Sequence, residues 1–588
     1  PHSYEQAVLE GAEKVSEGSA AQLIHSSTVA TNALLEKKGA RCALITTSGF
    51  RDVLEIGRQN RPELYALCPK LPEPVIPRER RFEWKERVNA NGQIETPLCE
   101  KTFSEILKKL KAANVEAVAV VFLFSFLNPT HERRVGEWLR ENGFRVSLSH
   151  EILPEFREYE RSSTTAINAY VQPAMSDYLE RLQGLALKQN LEELQIVQSN
   201  GGTLSPEQAG ERAVNTLLSG PAAGLQGAIK VFKASDNVQN LKLITFDMGG
   251  TSTDVSLIDG ALGLTTELAL ENYPVGVPMV DVHTVGAGGG SIAKVDSGGA
   301  LQVGPASAGA SPGPAAYGGG GPATVTDAHV ILKNLRPEYF LQGRMRLDES
   351  SSWSVFKRLA EDMGGIPIEE AAQGVLRLVN LHMENAIRTI SVQRGHDPAD
   401  FVLMGFGGAG GLHVFALADA LNIPKVMVPC HPGVLSALGA ASACLRQEVS
   451  RTLMVPLVAE GFREIESCLP DLQAELHKRM NRKKDVHLKI FLDMRYRGQS
   501  HELRVQVDMS SLEEIDGKFR ELYGLRFGEA ETHGQLEVVT VRLQGEGDPP
   551  DCAIPELGPR PEGLPIPQAE DGVYLRKDLF RGDVISGP

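Results

Sequence analysis

The segment FDMGGTSTD, from Phe246 to Asp254, guides the interpretation of the whole chain. The apolar run KLIT precedes it, and the alternating run DVSLID begins at its last residue, Asp254. The sequence therefore predicts two strands joined by a glycine turn. Gly249 and Gly250 let the backbone turn closely, and they leave amide N–H groups that can face an anion. Thr251 adds a hydroxyl donor. The segment therefore predicts a loop that binds phosphate.

Two carboxylates bracket this loop. Asp247 lies at the end of the first strand and Asp254 near the start of the second, with Thr253 beside it. A carboxylate at a phosphate site suits Mg²⁺ held through water. The alternative is a plain glycine hairpin with a capping threonine, but the full Asp-x-Gly-Gly-Thr-x-x-Asp pattern favours phosphate. We expect Asp247 and Asp254 to be catalytic, Asp247 to be the metal ligand, and Thr253 to contact the nucleotide.

The composition limits the classes of function. A chain of 588 residues is too long for one hydrophobic core, so two to four domains are expected. A net charge of −15 without basic blocks argues against nucleic acid and anionic membranes as partners. The longest apolar run, 117–127, is too short to span a bilayer and is predicted to be one buried strand. Seven scattered cysteines without CxxC spacing indicate a reducing, cytoplasmic setting.

A second glycine-rich segment, MGFGGAGGLH, spans Met404 to His413. An apolar strand leads into Gly407, Gly408 and Gly410, and a helix follows. This order is typical of a nucleotide cradle, although a close crossing of strand and helix needs the same glycines. The GK[ST] signature of a Walker loop does not occur in it.

Two further segments contain candidate substrate or loop residues. In VDVHTVGAGGGSIA, Asp281 and His283 precede a run of glycines, and a lone histidine there is more often structural than catalytic. In IHSSTVATNALLEKKG, His25, Thr28 and Asn32 belong to a polar cluster at the start of a helix. Helix capping needs only one of these groups, so a substrate or phosphate contact is predicted for the others.

The pattern of apolar residues divides the chain into three parts. Residues 1–186 and 187–452 each alternate helical and strand-like segments, which indicates α/β layers. Residues 453–588 combine charged helices with alternating strands and are predicted to be an α+β domain. A long helix is expected over 162–182. The glycine- and proline-rich stretch 286–321 is predicted to form tight loops around a ligand rather than a flexible linker.

Taken together, these segments resemble the hydantoinase A/5-oxoprolinase family. The resemblance runs in order through STVATNALLEKKG, LPEFREYERSSTTAINAYVQP, QSNGG, LLSGPAAG, FDMGGTSTDVSL, VDVHTVGAGGGSIA, ISVQRGHDP, FGGAGGLH and RYRGQSHEL. The family includes ATP-dependent N-methylhydantoin amidohydrolases, 5-oxoprolinases, lactam hydrolases and subunits of acetone and acetophenone carboxylases.

The resemblance implies an actin-like ATPase fold, shared with sugar kinases and heat-shock chaperones, in which two α/β lobes close over ATP and Mg²⁺. FDMGGTSTD matches the second phosphate loop of the family, and FGGAGGLH matches its adenosine loop. Two departures are visible. The first phosphate hairpin of the family would lie before Pro1, and Gly411 replaces the usual proline of FGGAGPLH.

The function implied is that of an ATP-dependent hydrolase subunit. It would phosphorylate a cyclic amide, such as a hydantoin, a lactam or an oxoproline-like ring, before water opens the ring. The family usually needs a B-type subunit, so a hetero-oligomer is expected. A ketone carboxylase subunit and a non-catalytic nucleotide-binding regulatory subunit are the alternatives.

Overall fold

The structure is a computed structural model that describes residues 4–16, 22–61, 64–68, 72–189, 191, 193–235, 240–266, 268–270, 272–480, 486–528, 534–550 and 552–554. Most of the proline-rich segment after residue 549 lies outside these ranges.

Helices occur in every part of the described chain. They are α1 (Tyr4–Ser16), α2 (Val29–Leu35), α3 (Val53–Ile56), α4 (Lys101–Ala112), α5 (Thr130–Glu141), α6 (Ser149–Ile152), α7 (Glu158–Ala186), α8 (Pro206–Glu211), α9 (Ser219–Lys233), α10 (Val325–Ile331), α11 (Glu349–Asp362), α12 (Ile368–Ile390), α13 (Val414–Leu421), α14 (Leu435–Ala441), α15 (Ala459–Met480) and α16 (Leu512–Phe527).

The strands lie between and after these helices, and β10 to β18 follow one another between α9 and α10. They are β1 (Gln22–His25), β2 (Cys42–Thr47), β3 (Arg81–Trp84), β4 (Arg87–Val88), β5 (Ile94–Thr96), β6 (Ala117–Val121), β7 (Arg145–Leu148), β8 (Glu193–Val197), β9 (Thr203–Leu204), β10 (Lys242–Met248), β11 (Thr253–Asp259), β12 (Leu264–Thr265), β13 (Leu268–Leu270), β14 (Tyr273–Val275), β15 (Met279–Val280), β16 (His283–Val285), β17 (Ser291–Val295), β18 (Leu301–Ser307), β19 (Val402–Phe406), β20 (Lys425–Met427), β21 (Arg446–Pro456), β22 (His487–Tyr496), β23 (Leu503–Val507) and β24 (Leu536–Glu546).

The first part of the chain builds a parallel sheet in the order β3-β2-β6-β7. Helix α7 packs against β6 and extends the expected helix at both ends. The prediction that the apolar run 117–127 forms one strand is wrong, because β6 ends at Val121. Phe124 has a left-handed φ of 56°, and turn hydrogen bonds from 125 and 127 close the chain back on itself. The apolar residues therefore extend beyond the strand into the turn that follows it.

The central sheet has the order β16-β11-β10-β19-β20. Strands β16, β11 and β10 are antiparallel neighbours, whereas β19 and β20 run parallel to β10. The amphipathic helix α12 covers one face and buries Val375, Val379 and Met383 in the largest apolar cluster. The segment 286–321 forms loops, as expected, but it also contains the hairpin β17–β18. The glycine-rich loops after β10 and β19 meet at one edge of this mixed α/β arrangement.

The last part is an antiparallel sheet, β21-β24-β22-β23, with α15 and α16 packed on it. Strand β21 pairs with β24 on both sides of residue 453, so this sheet begins before the expected boundary. Strand β8 pairs with β1, so the expected boundary at 186 separates two strands of one sheet. Within the described ranges, no helix is both long and apolar enough to cross a bilayer.

Candidate functional site

Asp247 and Asp254 are direct neighbours across the strand pair β10–β11. Burial raises the pKa of Asp247 to about 6, and the nearby charge of Asp254 adds to this effect. Burial also raises the pKa of Asp254, although the hydroxyl of Thr284 donates a 2.6 Å hydrogen bond to its Oδ1 and opposes the shift. Both carboxylates therefore resist ionisation. A cation bound between them would stabilise their charged forms, so the pair favours a cation.

A narrow cavity opens over this pair. Its wall consists of Pro221, Leu225, Thr245, Asp247, Asp254, Ser256, Val282 and Phe406. Pro221 lies in the first turn of helix α9, so the positive end of a 15-residue helix lies beside the two carboxylates. Sequence reasoning did not select Pro221 or Thr284 as site residues, although the segments LLSGPAAG and VDVHTVG that contain them were part of the resemblance.

The loop after Asp247 presents free amide groups. The N–H of Gly249 donates to the carbonyl of Ser252 at 3.0 Å and closes the turn. In the described chain, the N–H groups of Gly250, Thr251 and Ser252 donate to no protein acceptor. Successive unpaired amides of this kind suit the oxygens of a phosphate group.

A second glycine loop holds the first in place. The N–H of Gly289 donates to the carbonyl of Gly249 at 3.0 Å, and that of Gly290 donates to the carbonyl of Gly250 at 2.7 Å. A Cβ at Gly288 would lie 2.7 Å from the backbone of Gly250 and Thr251, so only glycine allows the loops to pack this closely. The carbonyl side of the phosphate loop is thus fixed, while its amide side stays open.

The expectation for Thr253 is wrong. Its side chain is fully buried, and its hydroxyl donates to the carbonyl of Ala287 at 2.5 Å. Thr253 shares a strand face with Val255, which is also fully buried. The hydroxyl therefore joins two loops from the inside and is not accessible to a ligand. Thr251, in contrast, is exposed at the loop tip.

The FGGAGGLH segment lies directly against the phosphate loop. Gly407 has a φ of +83°, and a Cβ there would overlap Oδ1 of Asp247 and the carbonyl of Met248. The N–H of Ala409 donates to that same carbonyl at 3.0 Å. Nothing lies within 4 Å of a Cβ at Gly408, whereas Gly410 packs on the backbone of strand β10. The structure therefore places Gly407 directly against Asp247 and Gly410 against the neighbouring Phe246, while Gly408 lies in open space.

Asp281 and His283 form a separate cluster. The Asp281 carboxylate makes a two-pronged ion pair with Arg394, whose second contact is 3.2 Å long. Burial lowers the pKa of His283, and the Arg394 charge adds to this. His283 lines a cavity of about 610 Å³ together with His382 of α12. Because Thr284 faces Asp254, its neighbour His283 points to the other face of the sheet and does not join the carboxylate pair.

The predicted group of His25, Thr28 and Asn32 does not form one site. His25 Nε2 lies 2.8 Å from the hydroxyl of Tyr178, and burial lowers the His25 pKa to about 4, so the ring is neutral at pH 7. Thr28 and Asn32 are exposed and hydrogen bonded to each other at 3.3 Å.

The same segment reaches the carboxylate pair only indirectly. Ser26 Oγ donates to Ser219 Oγ at 3.0 Å, and Ser219 begins the helix that carries Pro221. The segment therefore positions α9.

The oxygen ligands at the loop fit a magnesium–phosphate group. No cluster of three or more His, Cys, Asp or Glu side chains that could hold a metal occurs in the part of the chain that the structure describes. Mg²⁺ commonly binds through one or two carboxylates, water and substrate phosphates, and Asp247 and Asp254 supply the carboxylates. The donor set fits a metal that arrives with phosphate.

Comparison with known proteins identifies the relatives of this chain. The chain matches the Hydantoinase/oxoprolinase family over residues 161–449 and the Hydantoinase/oxoprolinase N-terminal region over residues 1–143. It is 35% identical to caprolactamase subunit alpha of Pseudomonas jessenii, covering 96% of this chain and 86% of that subunit. The crystal structure of ATP-dependent caprolactamase from Pseudomonas jessenii superposes with a TM-score of 0.82, at 33% identity over 96% of this chain and 85% of that one.

Two further proteins extend the comparison. The 5-oxoprolinase of Saccharomyces cerevisiae is 32% identical over 89% of this chain, which spans 43% of that longer protein. The nucleotide-free structure of acetone carboxylase has a TM-score of 0.73 at 26% identity, covering 91% of this chain and 81% of that one. On these matches, the chain belongs to the hydantoinase/oxoprolinase family.

Proposed function

We propose that this protein is the ATP-dependent subunit of a cyclic-amide hydrolase. The observation that carries the proposal is the Asp247–Asp254 pair beneath a loop of unpaired amides, in a chain similar to caprolactamase subunit alpha and 5-oxoprolinase. A lactam, hydantoin or oxoproline-like ring is the substrate class. An actin-like ATPase fold with two lobes is part of the same proposal and is supported by the hairpin loop at the edge of the mixed central sheet.

The residues divide the work as follows. The N–H groups of Gly250, Thr251 and Ser252 hold phosphate oxygens, and the first turn of α9 adds a favourable dipole. Asp247 and Asp254 hold a divalent cation, with Asp247 as the principal ligand. The glycine loop at 407–410 forms the side of the site where the adenosine binds. Mg²⁺, when bound, neutralises charge on the transferring phosphoryl group.

The reaction begins with transfer of the γ-phosphoryl group of ATP to the carbonyl oxygen of the amide. The bond from phosphorus to ADP breaks as the bond to the carbonyl oxygen forms. Water then attacks the activated carbon, the C–N bond breaks, and the ring nitrogen takes up a proton. A second water attacks the same carbon, and phosphate leaves with the original carbonyl oxygen. One ATP and two waters thus convert a lactam or oxoproline ring into an amino acid, or a hydantoin into an N-carbamoyl amino acid, with ADP and phosphate as the other products.

A partner subunit is also proposed, because the caprolactamase relative is an alpha subunit. A hydantoinase B-type subunit is the expected partner, and together the two chains would form a hetero-oligomer. The test uses the full-length protein produced together with a hydantoinase B-type subunit from the same organism. ATP hydrolysis is measured with and without lactams of five to seven ring atoms, hydantoin and 5-oxoproline.

The expected result is ATP hydrolysis stimulated by one ring class and reduced by about 10²–10³-fold in Asp247→Asn. Asp259→Asn is the matched control, because Asp259 is an exposed aspartate at the far end of strand β11. Lactam-stimulated hydrolysis that survives in Asp247→Asn would refute the assignment of the site. Tight ATP binding without turnover on any ring would favour the non-catalytic regulatory subunit.

The likeness to acetone carboxylase supports a second candidate, an ATP-dependent ketone carboxylase subunit. In that reaction the phosphoryl group would activate an enol oxygen, and carbon dioxide would be joined to the enol carbon. Incorporation of labelled bicarbonate into a ketone, without ring opening, would favour this candidate.

A further inference from the structure

A polar cavity of about 50 Å³ lies where the three parts of the chain meet. We call it the junction cavity. Its wall includes Glu155, Asn200, Arg212, Asn215, Arg479 and Arg542. None of these residues belongs to the loops around Asp247, so the proposed reaction leaves this cavity without a role.

The carboxylates at the junction cavity are bonded to arginines other than Arg212. Arg542 donates two hydrogen bonds to Glu155, from Nη1 at 2.6 Å and from Nη2 at 2.9 Å. Its Nη1 also reaches Glu448 at 3.3 Å, and its Nε donates to Asp493 at 2.6 Å. Arg504 pairs with Glu448 as well. Each of the three carboxylates is thus bonded to Arg542 or Arg504, and none of them is bonded to Arg212.

Arg212 is a further cation in the wall of this cavity. In the described chain, its guanidinium makes no hydrogen bond and no ion pair. Burial lowers the pKa of Arg212 to about 9, and the charge of nearby Arg479 adds to this shift. The charges of Glu151, Glu475 and Glu211 oppose this shift, although none of the three carboxylates is hydrogen bonded to Arg212. At pH 7 the group is still charged, so the wall of the cavity contains a positive charge without a bonded anion.

Neutral donors lie around the same cavity. The side-chain oxygen of Asn200 accepts a 2.9 Å hydrogen bond from the N–H of Gly202, which leaves its NH₂ group without an acceptor in the described residues. The side-chain amide of Asn215 likewise has no hydrogen-bond partner among the described residues. A cation and two amide donors around a space that has room for more than one water molecule suit a small oxyanion.

We propose that the junction cavity binds the oxyanion group of a small ligand, a carboxylate or a phosphate, through Arg212, Asn200 and Asn215. The site is distinct from the proposed nucleotide site. Residues of all three parts of the chain form its wall, so a bound anion stabilises their packing against one another. Inorganic phosphate and short carboxylic acids are the two sources of such a group.

The experiment measures thermal unfolding of the full-length protein in chloride buffer at fixed ionic strength. Potassium phosphate or sodium acetate replaces chloride in steps up to about 50 mM. The wild-type midpoint should rise by about 2–4 °C with at least one of the two anions. The control Arg463→Gln, an exposed arginine on the same helix as Arg479, should respond as the wild type does.

Arg212→Gln should lose this rise. In chloride alone it should unfold at the same temperature as the wild type or higher, because the change removes an unpaired charge next to Arg479. A purely structural arginine would instead lower the midpoint in every buffer. If Arg212→Gln does not fold, Asn215→Ala keeps the charge and should weaken anion binding about threefold or more by calorimetry.

The two anions separate the sources. A response to phosphate alone supports a phosphate group, a response to acetate alone supports a carboxylate, and a response to both supports a general oxyanion site. A wild-type midpoint that neither anion moves would overturn the proposal. So would a rise that Arg212→Gln and Asn215→Ala both retain, since the anions would then bind elsewhere.

Discussion

Asp247 and Asp254 stand opposite each other in adjacent strands, and both carboxylates have raised pKa values. Burial is the main cause for each, and for Asp247 the charge of its neighbour adds to it. A protein gains nothing in stability from placing two carboxylates in this way. The arrangement favours a cation, and it has consequences for the unliganded protein that can be measured.

The first prediction concerns stability and pH. The pKa of Asp247 is about 6 when folded, against an ordinary value of 3.8, so between these values the folded state binds more protons than the unfolded state. The free energy of unfolding therefore falls as pH rises through this window. Asp247→Asn should be more stable than the wild type at pH 7.5, by about 1–3 kcal/mol, and the difference should shrink towards pH 4. Denaturant unfolding without nucleotide, with Asp259→Asn as control, measures this. If Asp247→Asn and the wild type have the same free energy of unfolding at pH 7.5 and at pH 4, the prediction is wrong.

The second prediction concerns Gly407. Its positive φ and the overlap of a Cβ with Asp247 make alanine unfavourable there, so Gly407→Ala should lower the free energy of unfolding by about 1–3 kcal/mol and weaken nucleotide binding. Gly411→Ala, in the same segment but with open space around its Cβ, is the matched control. Unfolding curves and nucleotide titrations measure both effects. If the two variants behave alike, the contact between the two loops is not significant.

The third prediction separates ligand contact from packing. A Cβ at Gly250 meets no atom within 4 Å, so Gly250→Ala should leave the unfolding midpoint unchanged and weaken ATP binding by about tenfold. Gly288→Ala should instead lower both stability and ATP affinity, because its Cβ would meet the phosphate loop from behind. Calorimetry and thermal unfolding provide the two measurements. Unchanged ATP affinity in Gly250→Ala would show that the loop does not contact phosphate.

The fourth prediction concerns a buried histidine pair behind the adenosine loop. His329 and His413 are hydrogen bonded at 3.0 Å, and Asn380 binds the other nitrogen of His413 at 2.6 Å. Burial lowers their pKa values to about 4 and about 3, so the unfolded chain takes up protons first as pH falls below 6.5. The free energy of unfolding should therefore fall with decreasing pH.

His329→Gln removes one of these titrating groups. Relative to the wild type, it should lose about 2 kcal/mol less between pH 6.5 and pH 5. The exposed His431 provides the control variant His431→Gln, which should follow the wild type. If His329→Gln and the wild type lose equal stability, the ring is not buried in its neutral form.

Local pattern was sufficient for some parts of the fold. An apolar run before Gly249 and Gly250 and an alternating run after them predicted the hairpin β10–β11, since side chains of a half-buried strand alternate between its faces. The same rule also excluded Thr253 from the ligand face, because it stands two residues from Val255 in the strand. A hydroxyl group alone suggests a ligand contact, but the position of Thr253 in the strand turns its side chain into the core.

Other features depend on contacts between distant segments. Pro221 reaches the carboxylate pair only because α9 packs beside the central sheet, and strand β21 belongs to the last sheet only through its pairing with β24. The approach of Arg212 to Arg479 joins positions from two parts of the chain. No periodicity or spacing in one sequence encodes such contacts, so neither the wall of the site nor the junction cavity was predicted.

The most direct test of the proposed chemistry follows one oxygen atom. The cyclic amide that stimulates ATP hydrolysis is prepared with ¹⁸O in its carbonyl group and converted by the full-length protein with its B-type subunit. Mass spectrometry then locates the label. Phosphoryl transfer to the carbonyl oxygen, followed by attack of water on carbon, predicts one ¹⁸O atom in the inorganic phosphate. Label that stays entirely in the carboxylate of the amino acid product would contradict the mechanism.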